Sequence, residues 1–201
     1  MKKYSKKSVL LFAALMALCA FAMPSMASAS SWAPIGTEHT LDGNLGFSSD
    51  ALGTQSDCAQ VQFTGHVVNA AIVEITSGLF RNCTLTGATT GNCTVTATGT
   101  NFPWTATART TSDIQIHGVD IDVFLETRLG GAAGSCPAEG VSIRITGTLS
   151  GGKWNGNGAG LRGINVLGAT GLVSHSIFGN GQVVTPTGTV SDNTQNTLTV
   201  S

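Results

Sequence analysis

Four histidines, eleven carboxylates and five cysteines are the side chains through which this chain could do chemistry. The histidines, His39, His66, His117 and His175, are scattered, with no spacing that pairs two as metal ligands or a base with its orienting partner. No G-x-S-x-G elbow, H-E-x-x-H run or Walker loop occurs. Residues 158–163 spell G-x-G-x-x-G, but a glycine-rich stretch precedes them where a dinucleotide site needs a buried strand, and no helical pattern follows. Ser150 and Lys153 match S-x-x-K without the companion S-D-N and K-T-G segments of penicillin-recognising enzymes. Glu74, among Ile72, Val73 and Ile75, is the strongest acid–base candidate, and such a residue is more often the outward side chain of a strand. Iron or flavin chemistry would need a ligand cluster that is missing here. Neither a catalytic residue nor a cofactor is expected.

The carboxylates offer one further chemistry. Ile114 and Ile116 occupy even positions, whereas Val119, Ile121 and Val123 occupy odd ones, so the phase flips across His117-Gly118. A two-residue turn there predicts a hairpin pairing Ile116 with Val119, and places Asp113 opposite Asp122 on the outer face. Facing carboxylates repel unless solvent or a cation lies between them. Asp113, Asp120 and Asp122 are therefore the candidate ligands of a weak Ca²⁺ site.

Cysteine usage speaks to compartment. The basic start (Lys2, Lys3, Lys6, Lys7), the apolar run from Val9 to Met23 and the small residues around Ala27-Ser28-Ala29 match a secretory signal cut after Ala29. That run is shorter than the ~20 residues a helix needs to cross a bilayer, so no span is expected after cleavage. Cys19 falls inside the signal and reads as filler. Cys58, Cys83, Cys93 and Cys136 remain, an even set that predicts two disulfides in an exported protein. Three connectivities are open; the polar, glycine-containing segment between Cys83 and Cys93 suggests a local bridge there, with Cys58 joined to Cys136. No CxxC or CxxH spacing supports zinc.

The elements that must carry these residues are strands. Thr94 to Thr98 and Val141 to Thr146 alternate with period two, and β-branched residues suit a pleated surface. No stretch after residue 35 holds the three-four apolar spacing of a helix. Many short strands punctuated by glycine predict an all-β fold, an antiparallel sandwich or small barrel stapled by disulfides. Residues 30–150 form its body. From Gly151 a glycine-rich loop leads to C-terminal strands of the same domain, residues 151–201. The last of these, ending at Val200, docks on its own sheet or pairs with a neighbouring molecule. Beyond Ala29 six basic residues face eleven acidic ones, and the only lysine is Lys153, which excludes nucleic acid as a partner.

Several segments resemble a known family. Ser31-Trp32-Ala33-Pro34-Ile35-Gly36, Cys58 to Gly65, Thr76 to Phe80, Asn101-Phe102-Pro103-Trp104-Thr105-Ala106 and Ile116-His117-Gly118-Val119 before Cys136 are similar to a family of exported bacterial proteins named protein activator of alkane oxidation. Uncharacterised secreted proteins of high-GC Gram-positive bacteria carry the same N-x-P-W-T segment. The likeness runs over residues 31 to 150, and the sequence after Gly151 departs from the pattern. It implies an extracellular, non-enzymatic protein that promotes access to water-insoluble hydrocarbon, with a hydrophobic substrate or interface as its partner. Trp32, Trp104 and Trp154 are the candidate surface residues. Trp104, inside an alternating run, is assigned to the core, and Trp154, flanked by glycines, to the exterior. Two other functions fit the pattern: a self-associating subunit of an extracellular matrix or biofilm fibre, and a carbohydrate-binding module.

Overall fold

The computed structural model describes residues 30–51, 53–87, 91–127, 136, 139–156, 163–177, 179–192 and 198–201. The signal segment and most of the G-x-G-x-x-G stretch lie outside them. The described residues are all-β, in twelve strands: β1 (Trp32–Ala33), β2 (Glu38–Ser49), β3 (Thr54–Asn69), β4 (Ile72–Gly87), β5 (Gly91–Gly99), β6 (Trp104–Ala108), β7 (Asp113–Thr127), β8 (Ser142–Trp154), β9 (Gly163–Asn165), β10 (Thr170–Ser176), β11 (Gly179–Asp192) and β12 (Thr199–Val200).

Every pairing is antiparallel, and the sheet closes on itself. Starting at β2, each strand bonds the next through β3, β4, β5, β7, β8, β10 and β11, and β11 returns to β2. Two of the eight staves are broken. β5 and β6 both lie between β4 and β7, separated by the Asn101-Phe102-Pro103 segment. β9 and β10 both lie between β8 and β11. Of the two expected architectures the barrel is therefore the one formed. Closure removes the unpaired edges that invite strand addition.

Alternation along each stave turns apolar side chains inward, among them Leu41, Val61, Phe80, Val95, Ile121, Ile145, Leu172 and Val190. The outward residues are mostly polar, with Val68, Leu79, Phe124 and Val183 as exposed apolar exceptions. None of the described residues forms a helix long and apolar enough to cross a membrane. One end is closed by the chain termini. β12 pairs with β1 of the same chain, Ser31 and Ser201 exchange backbone hydrogen bonds, and the Trp32 amide donates to Ala70 O. Leu198, Val200 and Trp32 are buried beneath that pair.

Three sequence expectations are corrected. Residues 113–127 form no hairpin: β7 runs straight through His117-Gly118, pairing with β8 from Asp113↔Lys153 to Phe124↔Ser142. The phase flip is a β-bulge. Between Ile116↔Leu149 and Val119↔Gly147 the β7 strand holds one extra residue, and Gly118 takes the left-handed conformation at φ 73°. The glycine-rich segment is no loop at its start, because Gly151 to Trp154 complete β8.

The disulfide connectivity also differs. Cys58 is joined to Cys83, and Cys93 to Cys136. The expected β4–β5 hairpin exists, but its register sets Leu85 opposite Cys93 and Cys83 opposite Val95, so the two cysteines are offset. Cys83 instead stands directly across from Cys58 on β3.

Candidate functional site

The interior offers little room for a guest. The apolar cavity lined by Leu41, Phe63, Trp104, Ile121, Leu172 and their neighbours holds about 50 Å³. A benzene-sized guest takes roughly 150 Å³, so a hydrocarbon chain does not fit inside this barrel as it stands. A larger apolar guest would have to be met on the outer surface.

All three tryptophans are withdrawn from that surface. Trp32 and Trp154 meet edge-on at 5.6 Å in the end plug, and Trp154, expected outside, is 3% exposed. Its inward position follows from β8, where Ile143, Ile145, Leu149, Gly152 and Trp154 turn to the core. Trp104 is buried beside the break between β5 and β6. It stacks on Phe102 at 4.6 Å and donates from Nε1 to Thr100 O at 2.9 Å.

The three aspartates do not converge. Asp113 and Asp122 share one strand, nine residues and ~30 Å apart at strand rise. Asp113 lies 3.7 Å from Lys153 Nζ, and Asp122 faces outward opposite Arg144. Asp120 is buried under the Arg144 side chain, whose Nε donates to Oδ1 at 2.8 Å while Nη2 donates to Oδ2. Asn101 adds a third donor through Nδ2. The Arg144 guanidinium holds the Asp120 carboxyl at about 2, below the usual 3.8, against the opposite push of burial. This cluster ties the Asn101-Phe102-Pro103 segment to β7 and β8. Among the described residues no group of three or more His, Cys, Asp or Glu could hold a metal ion.

One arrangement of chemical groups escaped the sequence reading. His39 lies with Nε2 2.7 Å from Thr37 Oγ1 and Nδ1 3.1 Å from Asp192 Oδ2, a hydroxyl–imidazole–carboxylate chain whose imidazole and carboxylate stand 153 positions apart in sequence. The Thr37 hydroxyl donates to Pro34 O at 2.8 Å, and the imidazole is 1% exposed. Asp192 also accepts from the Leu198 amide. The chain thus fastens both termini over the barrel end and presents no hydroxyl to a substrate. Glu74 is half-buried on the outer face, 3.7 Å from His66.

Among the described residues the most exposed large apolar side chain lies on the β10–β11 hairpin, whereas Val68, Leu79 and Phe124 are only partly exposed. Ile177, at the turn between β10 and β11, is 81% exposed, and Val183 on β11 is 64% exposed. Val183 pairs with Val173, so these two share the outer face. Leu167 and Ile35 are as exposed but lie elsewhere, in the β9–β10 break and near β1. The signal for this site was present in the sequence. Val183-Val184 are adjacent on a strand, so one must face out; Val184 is buried and Val183 takes the exterior.

One protein-family model matches, over residues 3–200, and is described as alkane oxidation protein activator PraA/PraB-like. No curated protein and no solved structure matches. The match includes the residues after Gly151, beyond the segments that carry the resemblance.

Proposed function

The chain belongs to the alkane oxidation protein activator PraA/PraB-like family, and on that premise we propose that it is an exported, non-enzymatic barrel that brings hydrocarbon and cell together by adsorbing to the oil surface. The observation that carries this reading is the exposed apolar pair Ile177 and Val183 on one hairpin. Moving both side chains from water into hydrocarbon is worth about 3 kcal/mol, scaled by their exposure. The buried tryptophans and the small interior cavity leave this hairpin as the best-placed contact. Two disulfides suit an oxidising, extracellular setting, and the closed barrel keeps its core while one tip enters oil.

The test is adsorption of the purified protein to hexadecane droplets. The wild type is expected to deplete from the aqueous phase, and Ile177→Asp/Val183→Asp to remain in it. Equal adsorption of the two proteins, or adsorption no greater than that of an inert secreted protein, would overturn the reading.

A further inference from the structure

The outer face of β2, β3 and β4 carries relief that a regular sheet lacks. On β3 the inward residues are Ser56 and Cys58, then Val61; on β4 they are Phe80, then Cys83 and Leu85. Both strands therefore push two consecutive residues outward at the same level, Ala59 with Gln60 and Arg81 with Asn82. Gln60 stands opposite Arg81 in register, and the Cys58–Cys83 bridge lies immediately beside this double fault. Asn82 adopts φ 53°, a conformation asparagine tolerates better than most residues.

The faults open two adjoining hollows. One, about 310 Å³, is bordered by Asp42, Gln60, Gln62, Leu79 and Arg81. The other, about 250 Å³, is bordered by Asn44, Asp57, Asn82, Thr84 and Thr187 over Gly46 and Ala59. Gly46 is what keeps the second one open: a Cβ there would stand 2.6 Å from both Asp57 Oδ1 and Thr187 Oγ1. The polar groups are held in place by neighbours. Gln62 Nε2 donates to Asp42 Oδ1 at 2.8 Å, and Gln55 Nε2 donates to Asp57 Oδ2 at 3.0 Å. Arg81 is exposed and has no ion-pair partner among the described residues.

Elimination narrows the ligand. Hydrocarbon is unsuited to walls of amides and carboxylates. Nucleic acid and other polyphosphates require clustered cations, and here one arginine sits beside two aspartates. An added β-strand requires a free edge, and β2, β3 and β4 are each bonded on both sides. What remains is a ligand that presents many hydroxyls, each both donor and acceptor. Carboxylates accept, carboxamides do both, and a guanidinium donates in a fork, so this set matches paired hydroxyls on a ring. Exposed Leu79 supplies an apolar patch for a ring face. We propose that this trough binds a neutral polysaccharide, through Gln60 and Arg81 in one hollow and Asp57 in the other. The acidic excess of the chain beyond residue 29 disfavours polyanionic glycans.

Native gels cast with dextran, galactomannan or polygalacturonate test this on the full chain. At least one neutral polymer is expected to retard the wild type, with polygalacturonate weaker. Gln60→Ala/Arg81→Ala and, separately, Asp57→Asn should weaken retardation at least tenfold while leaving the urea midpoint unchanged, since all three side chains are exposed. Ile177→Asp should bind as the wild type. No retardation by either neutral polymer, retardation by polygalacturonate alone, or trough variants that bind normally would overturn the proposal.

Discussion

The β3–β4 and β10–β11 hairpins solve opposite surface problems with the same alternation. β3 and β4 are sixteen residues each, slip register twice, and are cross-linked by Cys58–Cys83. Their outward side chains are mostly polar, Val68 and Leu79 apart. β10–β11 carries no disulfide, turns Val173 and Val183 outward, and exposes Ile177 at its turn, four residues beyond Val173. A polar face is wetted, so its strands can fault and leave hollows without exposing the core to a competing partner. Apolar side chains exposed on an otherwise polar wall lose water contact and gain free energy when they meet oil. On the proposed function the first region faces water and the second faces oil, so the two should be damaged independently.

The largest effect should come from the bridge. Closing a sequence separation of 25 contributes about 3.5 kcal/mol in the chain-entropy estimate. Cys58→Ala/Cys83→Ala should lower the urea-unfolding free energy by that order, yet below its midpoint still adsorb to hexadecane as the wild type does. Loss of adsorption while the variant is folded would show that the two regions are not separable.

Next come the hairpin residues. Ile177→Asp/Val183→Asp should weaken adsorption about a hundredfold, the equivalent of about 3 kcal/mol, with stability within about 0.5 kcal/mol of wild type. Leu167→Asp sharpens the point. Leu167 is 67% exposed but lies in the β9–β10 break, so it should cost far less adsorption. Equal losses would mean that total exposed apolar area matters and the hairpin's position does not.

A third, smaller effect lies where β7 meets β8. Asp120 titrates at about 2 when folded, against 3.8 unpaired, so the unfolded chain takes up this proton first as pH falls. The stability it contributes, about 2 kcal/mol, is complete above pH 4 and lost between about pH 4 and pH 2. The gap between wild type and Asp120→Asn, followed by urea unfolding, should therefore narrow over that window. A gap constant with pH would contradict the Arg144 pairing. Neither protein should differ in adsorption at neutral pH.

How much of this could be read beforehand depended on whether the information was local. Alternation in Thr94–Thr98 and Val141–Thr146 is local, and all-β followed from it. Connectivity is not: Cys83 meets Cys58 because of where β3 and β4 come into register, which no spacing between Cys83 and Cys93 reveals. Asp120 was singled out as an acid, but its partners Asn101 and Arg144 come from β5–β6 and β8, so its role as an anchor waited on topology. Barrel closure likewise rests on β7 finding β8 and β11 returning to β2. Trp154 misled because glycine neighbours suggested a loop, whereas Gly151, at φ 87°, and Gly152 are carried within β8 itself.

The phase flip at His117-Gly118 is the most instructive error, and it supports the prediction with the smallest effect. A two-residue turn and a one-residue bulge both shift parity by one, so apolar positions alone cannot tell them apart. They differ at residue 117. The turn demands positive φ at both central residues, whereas in the bulge only Gly118 takes it, and His117 stays in the ladder opposite Thr105. His117→Val should therefore be nearly silent, losing only the weak 3.4 Å contact with Thr107 Oγ1 and staying within about 0.5 kcal/mol of wild type. In a turn the same β-branched residue would be forced into the left-handed region at a cost of about 1–2 kcal/mol. Urea unfolding of this one variant separates the two geometries. A loss of that size would return residues 113–127 to a hairpin, and with it would go the β7–β8 pairing that closes the barrel.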